Sequence, residues 1–297
     1  MAEGSAEQKD NIEIFGRKIF FLNPAFPIRN DVIPTLQSKE YEVYVIDSYK
    51  DAKNILRKHK KSMCFINVDA QLPTGAWFNF IKSFEEDEIL KTVIIGIMSE
   101  RLKGEDKATF LNDGAISGGL ISMEDTTTAI TAEIEKILET NNAKGKRQYV
   151  RASIAAEREA NMFWMNGDKL IQMKLIDISS VGMSAFVPEA MAGLAHEKSI
   201  LRSITLRLGP KQFVIDTVVL ATKPYQSGAL WIMLMLQNTP DHIKNTIRDY
   251  VSETNQKFMV YSINGMPADK TDYNSLPYYK QFSKKSKAQG ANEKSPQ

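Results

Sequence analysis

Two short groups of polar residues in the second half of the chain carry side chains suited to binding an anion. Arg147 and Arg151 are four residues apart, and Asp177, Ser179 and Gly182 follow 26 residues after Arg151. An arginine fork binds phosphate oxygens bidentately and also pairs with guanine O6 and N7. A carboxylate accepts hydrogen bonds from guanine N–H groups, and glycine allows close backbone approach. The residue types together predict a compact, doubly negative ligand that carries a purine.

Each group taken alone also has an ordinary structural explanation. Two arginines at a spacing of four are common in any sequence and are usually solvated. An Asp-x-Ser-x-x-Gly run is typical of a capped turn that closes a hairpin, because these are turn residues. The combination is more demanding, since the arginine pair stands before the first strand of a β-rich half and the second group stands at a strand end.

The elements that position these residues are short strands with turn residues between them. Ile171, Met173 and Leu175 alternate with polar residues, which indicates a half-buried strand. Thr239-Pro240-Asp241 then predicts the start of a helix that buries residues 243, 247 and 251. We therefore expect a small antiparallel barrel and a helix after it. Its further strands are expected over residues 204–208, 213–221 and 230–236.

The first half of the chain has a different pattern, in which apolar strands alternate with helices. Near-continuous apolar strands are typical of a parallel sheet covered on both faces, so we expect an α/β domain with five parallel strands. A polar, helix-breaking stretch at 140–147 then marks the domain junction. The five strands are expected within residues 18–22, 41–46, 63–68, 92–98 and 114–121.

Residues 145 to about 255 resemble a PilZ domain, the bacterial receptor module for cyclic di-GMP, because both motifs of that family are complete here. The resemblance implies a six-stranded barrel and no enzymatic activity. It implies that Lys146 is a weaker candidate for ligand binding, because a cation at this position goes with binding of the ligand as a dimer. It assigns cyclic di-GMP binding to Arg147, Arg151, Asp177, Ser179 and Gly182.

The first half resembles a response-regulator receiver domain, but it lacks part of the phosphoryl-transfer machinery. Asp69 ends the third strand and Pro73 follows it, as in receivers. The acidic pair that would hold Mg²⁺ is replaced by Asn23-Pro24, and the expected lysine falls at Ile121 or Ser122. We expect a degenerate receiver used for interaction. The alternative is a response regulator that is phosphorylated on Asp69.

Composition excludes several other classes of protein. The chain has 38 Lys and Arg against 36 Asp and Glu, so the net charge of +2 gives no broadly basic surface for specific nucleic-acid binding. The one cysteine forms no internal disulfide, the three histidines lack metal-ligand spacing, and no phosphate-binding glycine loop is present. We predict no catalytic residue, no metal and no cofactor. No apolar run has the length of a membrane span.

These observations predict a non-enzymatic, cytoplasmic second-messenger receptor in bacteria that serves an output such as motility or biofilm formation. We expect binding to change the arrangement of the domains or the interaction with an unidentified protein partner, and a homodimer stays open. A ligand-blind PilZ-fold interaction module is a further alternative. The expected segments are a polar leader 1–11, a receiver-like domain 12–140, a linker 141–150, a PilZ-like domain 145–257 and a disordered basic tail 265–297.

Overall fold

The computed structural model describes residues 12–154 and 160–281. The chain divides into two compact units. The first contains the residues up to Gln148 together with those from Met259 onward, and the second runs from Tyr149 to Phe258. No helix within the described ranges is long and apolar enough to cross a membrane.

The first unit is built on a parallel sheet of five strands, in the order β2-β1-β3-β4-β5. The sequence prediction of a five-stranded parallel α/β domain is therefore confirmed. Its strands are short and consist almost entirely of buried apolar residues, as a sheet covered on both faces requires. The strands are β1 (Ile19–Leu22), β2 (Val43–Ile46), β3 (Met63–Asn67), β4 (Ile94–Ser99) and β5 (Leu120–Ser122).

Six α-helices accompany this sheet in the described part of the first half, together with a π-helix (Ile28–Val32) and two 3-10 helices (Ser83–Glu86 and Leu90–Thr92). The Ser48 side chain caps the third helix by accepting a bond from the Lys50 N–H, 3.2 Å away. The last helix buries Ile130, Ile134 and Leu138 at helical spacing. The helices are α1 (Ile12–Phe15), α2 (Ile33–Ser38), α3 (Tyr49–Arg57), α4 (Thr74–Lys82), α5 (Gly104–Asp113) and α6 (Thr127–Thr140).

The C-terminal segment, residues 265–281, packs against this first unit. Tyr273 is fully buried beside the aromatic residues of the unit's core, and the Asp269 N–H donates to the Lys50 carbonyl oxygen at 2.9 Å. The expectation of disorder from residue 265 onward is therefore wrong for residues 265–281. The rest of that tail, 282–297, and the leader 1–11 lie outside the described residues.

The second unit is an antiparallel barrel in which six strands close on themselves, with a short strand added at one side. Pairing runs β8-β7-β10-β11-β12-β9 and returns to β8, while β6 pairs with β8. The predicted six-stranded barrel is thereby confirmed. The strands are β6 (Arg151–Ser153), β7 (Ala160–Asn166), β8 (Lys169–Ser179), β9 (Gly182–Pro188), β10 (Ile200–Leu208), β11 (Lys211–Tyr225) and β12 (Gly228–Met235).

Two helices follow strands of the barrel, α7 (Glu189–Ala192) and α8 (Asp241–Tyr261). Ile243, Ile247 and Val251 of α8 are buried in the barrel's core cluster, which also contains Trp231 and Met173. The expected C-terminal helix is present, and it starts one residue after the proline that the sequence places at its first turn.

Candidate functional site

Strand pairing places three of the predicted site residues side by side on the second unit. β6 and β8 are antiparallel, with Arg151 opposite Ser179 and Ser153 opposite Asp177. Residues at alternate positions share one face of a sheet, and Ala152 and Ile178, between them, point into the buried core. Arg151, Ser153, Asp177 and Ser179 therefore share the outer face, as the sequence spacing predicts for Asp177 and Ser179.

A β-bulge at Ile176 brings Asp177 to this outer face. Ile171, Met173 and Leu175 alternate inward along β8, and the same period would continue into the core at Asp177. Leu175 pairs with Ala185 and Asp177 with Ser184, so Ile176 is the extra residue and the alternation inverts. The carboxylate thus avoids the cost of burial in an apolar core.

The Asp177 carboxylate has two differently engaged oxygens. Oδ2 accepts a hydrogen bond from the Ser184 hydroxyl. Oδ1 is buried and accepts no hydrogen bond from the described residues, although the Arg151 guanidinium lies 3.5 Å away as an ion pair. The Arg151 side chain is about half exposed. The exposed guanidinium offers a cation to a ligand, and the neighbouring carboxylate oxygen, although covered here, has spare accepting capacity.

Ser179 and Gly182 close the β8–β9 hairpin. The fully buried Ser179 hydroxyl donates to the Gly182 carbonyl oxygen at 3.0 Å and accepts from the Gly182 N–H at 3.2 Å. A Cβ added to Gly182 would lie 2.7 Å from the Met233 carbonyl oxygen. Gly182 is thus required by close strand packing, and Ser179 sets the turn that carries Asp177.

Arg147 and Lys146, the cations of the preceding segment, both contact residues of the first unit. The Arg147 guanidinium carbon lies 4.6 Å from the centre of the Phe15 ring, and Lys146 forms an ion pair with Glu13. Both backbone N–H groups also donate to this N-terminal stretch, from Lys146 to Glu13 and from Arg147 to Ile14, each at 2.8 Å. The two arginines of the motif therefore belong to different compact units.

Asp69, the alternative phosphoacceptor, has both carboxylate oxygens engaged. Ser99 Oγ donates to Oδ1 at 2.5 Å, and the Glu100 N–H donates to Oδ2 at 2.8 Å. Ser99 Oγ in turn accepts from the backbone N–H groups of Arg101 and Leu102. Asp69 thereby fixes the loop that leads from β4 to α5. Among the residues in 12–154 and 160–281, no group of three or more His, Cys, Asp or Glu could hold a metal ion.

Two residues that the sequence analysis did not select support the site from behind. Ser184 bonds Asp177, and the Asn255 side-chain amide donates to the Arg151 carbonyl oxygen at 3.1 Å. Ser184 could have been found by register arithmetic, because a two-residue turn between residues 179 and 182 places 177 opposite 184. Nothing in the sequence indicates that Asn255, on α8, reaches β6.

The chain combines an α/β unit that has the 2-1-3-4-5 strand order of flavodoxin-like folds with a unit that is a closed, six-stranded antiparallel barrel. No family model and no curated protein sequence matches the chain. Solved structures that resemble parts of it include a PilZ domain with c-di-GMP of YcgR from Escherichia coli (15% identity, 40% of this chain and 98% of that one, TM-score 0.34).

Two further solved structures resemble parts of the chain. One is YcgR in complex with c-di-GMP from Escherichia coli, at 16% identity and a TM-score of 0.34. The match covers 40% of this chain and half of the YcgR chain. The other is a response regulator from Desulfuromonas acetoxidans, at 15% identity and a TM-score of 0.35, which covers 42% of this chain and 98% of that one.

Proposed function

We propose that this chain is a non-enzymatic receptor for cyclic di-GMP, and that its second unit carries the binding face. The observation that supports this proposal most is the cross-strand register of Arg151, Asp177 and Ser179, which come from distant parts of the sequence. Arg151 would bind a phosphate or the O6/N7 edge of guanine. Asp177 Oδ1 is covered in the ligand-free structure, and it would accept from guanine N–H groups once its neighbours move and expose it. Ser179 and Gly182 would hold the turn beneath the ligand.

Arg147 and the weaker candidate Lys146 would supply further positive charge from the preceding segment. Only three residues separate Arg147 from Arg151, so the chain connectivity allows both to reach one ligand. A guanidinium fork suits a bridging phosphodiester better than an ammonium does, because it presents parallel donors in a fixed plane. Binding of Arg147 to the ligand would be the structural change that distinguishes the bound from the free state.

The proposed output is a change in the arrangement of the domains or in the interaction with a protein partner, for a process such as motility or biofilm formation. A ligand shifts such an equilibrium only by its difference in affinity for the two arrangements. Small-angle scattering with and without ligand tests this output directly, and identical profiles would remove the rearrangement. The protein partner, the homodimer and the cytoplasmic location stay predictions.

The binding proposal is tested by calorimetric titration of cyclic di-GMP into the full chain and into Arg151→Ala. Hydrogen bonds to a charged group contribute about 1.5–3 kcal/mol, so the variant should bind about 10- to 150-fold more weakly. Arg207→Ala is the matched control, because Arg207 is an exposed arginine on another strand of the same barrel. Cyclic di-AMP serves as the control ligand, because adenine carries an amino donor at the position where guanine carries the O6 acceptor.

The outcomes separate the proposal from its alternatives. Micromolar or tighter binding that is weakened about 10- to 150-fold in Arg151→Ala and unchanged in Arg207→Ala supports the receptor. The stoichiometry tests the ligand dimer implied by Lys146. Absence of heat and of thermal stabilisation in the wild type would refute it. The ligand-blind interaction module would then be the better description.

A further inference from the structure

The segment that carries Lys146 and Arg147 is held along the N-terminal stretch of the same unit by three backbone hydrogen bonds. The Arg17 N–H donates to the Ala143 carbonyl oxygen at 2.8 Å. The Lys146 and Arg147 N–H groups donate in the opposite direction, to the carbonyl oxygens of residues 13 and 14. We call this pairing of residues 13–17 with residues 143–147 the linker clasp.

Two glycines make the linker clasp tight. Gly16 has φ +81°, and a Cβ added there would lie 2.5 Å from the Ala143 carbonyl oxygen. A Cβ added to Gly145 would lie 2.3 Å from the Gly16 nitrogen and 2.5 Å from the Ile14 carbonyl oxygen. Only residues without a side chain let these two backbone segments approach so closely. The segment before the barrel is therefore a specifically docked stretch, where the sequence suggested only a polar, helix-breaking junction.

The side chains of the linker clasp engage the two cations that the proposed receptor would offer to its ligand. The Phe15 ring lies under the Arg147 guanidinium, and Glu13 neutralises Lys146. Phe15 is about half exposed, so it lies at the surface and its contact with Arg147 is partly solvated. The Glu13 and Lys146 side chains are both 71% exposed, which makes their ion pair the weaker of the two contacts.

We infer that Phe15 and Glu13 are affinity-determining residues of the candidate site, because they contact Arg147 and Lys146 in the ligand-free chain and compete with the ligand for them. This inference rests on the proposed function. A guanidinium face that stacks on Phe15 is unavailable to a purine plane, and the Glu13 carboxylate repels an anionic ligand that approaches Lys146. A contact that exists in the free state and is lost in the bound state reduces the fraction of molecules that are ready to bind. The apparent affinity falls by the same fraction.

The test is calorimetric titration of cyclic di-GMP into the full-length wild type, Phe15→Ala and Glu13→Gln. Release of one partly exposed cation–π contact should tighten binding by roughly 3- to 30-fold in Phe15→Ala. Glu13→Gln should tighten it by up to about 5-fold, with the gain decreasing as salt is added. Phe26→Ala is the matched control, because Phe26 is an 80% exposed phenylalanine of the same unit and its removal should leave the affinity unchanged.

A second readout follows the linker clasp itself. Amide hydrogen exchange at Lys146 and Arg147 should be slow in the ligand-free wild type, faster in Phe15→Ala, and faster in the wild type at saturating cyclic di-GMP. Wild-type binding with unchanged or weaker affinity in Phe15→Ala would overturn this inference and leave the receptor standing. Absence of binding in every variant would overturn the receptor, and this inference with it.

Discussion

Replacement of Asn79 by alanine removes the side chain that holds the C-terminal segment on the first unit. Asn79 lies on α4 and is 3% exposed. Its amide nitrogen donates to the carbonyl oxygens of Tyr273 and Leu276, at 2.7 and 2.9 Å, and its Oδ1 accepts from the Tyr279 N–H at 2.8 Å. One side chain thereby satisfies three backbone groups that the docked segment cannot pair within itself.

The magnitude follows from these three bonds. A typical intramolecular hydrogen bond contributes about 1 kcal/mol net, so the three contribute about 3 kcal/mol to docking of the segment. The loss is limited by the docking free energy, because a released segment regains hydrogen bonds to water. Burial of Tyr273, whose ring centre lies 5.1 Å from that of Phe80, still favours docking in the variant.

Amide hydrogen exchange measures this effect without requiring the whole chain to unfold in one step. A loss of about 3 kcal/mol raises the opening equilibrium roughly 150-fold, which should appear as faster exchange at the Tyr279 amide. Limited proteolysis of residues 265–281 should become faster in parallel. Exchange in the strands of the second unit should be unaffected, since every group that Asn79 bonds lies in the first.

Asn54→Ala is the matched control for this variant. The Asn54 side chain donates one hydrogen bond, to the Pro267 carbonyl oxygen at 2.9 Å, from an exposed position. Its removal should cost about 1 kcal/mol or less and leave Tyr279 protected. If Asn79→Ala exchanged at Tyr279 as slowly as the wild type, the reasoning that assigns docking of the segment to these three bonds would be refuted.

Two further predictions concern the second unit. Gly182→Ala should lower the free energy of unfolding of the barrel by about 1–3 kcal/mol, because the new Cβ meets the Met233 carbonyl oxygen at 2.7 Å. Gly193→Ala, where nothing lies within 4 Å, should change it little, and chemical denaturation followed by tryptophan fluorescence compares the two. Ser184→Ala should weaken cyclic di-GMP binding by about 3- to 10-fold, because Asp177 loses a hydrogen bond of about 1 kcal/mol that orients it. Unchanged affinity would show that the orientation of Asp177 is set by other contacts.

The parallel sheet was predictable because its signal is local and strong. The third strand has the sequence Met-Cys-Phe-Ile-Asn and is buried at all five positions. Its nearly continuous apolar run is therefore not confused with the period of an amphipathic helix. The fifth strand is short and glycine-flanked, and it was the weakest of the five predictions for that reason. Its position is set by pairing with β4, where Met98 lies opposite Ile121.

The register around Asp177 was predictable only in part. The sequence places Asp177 and Ser179 on a common face, and the structure agrees. The sequence does not reveal which face this is, because the inward alternation of β8 continues through position 177 unless a bulge intervenes. The bulge at Ile176 depends on how β8 pairs with β9, and the residues of β8 alone do not predict this pairing.

The C-terminal segment was misjudged because composition describes a segment in isolation. Its residues are mostly polar, with a few widely spaced apolar side chains, and such a composition is typical of disorder. Docking depends on residues elsewhere in the chain. Tyr278 donates to Glu86 and Tyr279 to Asp106, which lie 192 and 173 residues away in sequence. The Asp106 carboxylate is also one reason, after burial, that the pKa of Tyr279 is raised to about 12.

The contacts of Asp69 explain why we assign the input of the proposed receptor to the second unit. A phosphoacceptor needs a free carboxylate oxygen and nearby positive charge to stabilise the transferred group. Here both oxygens of Asp69 hold the loop that follows β4, through Ser99 and Glu100. Asn23, which follows β1, adopts a left-handed backbone conformation with φ 51° and carries a neutral amide, a poorer ligand for Mg²⁺ than a carboxylate. Phosphorylation would convert one carboxylate oxygen into the bridging oxygen of an acyl phosphate, which is a weaker acceptor, so it would weaken the hydrogen bond from Ser99 or from Glu100 that now supports the loop.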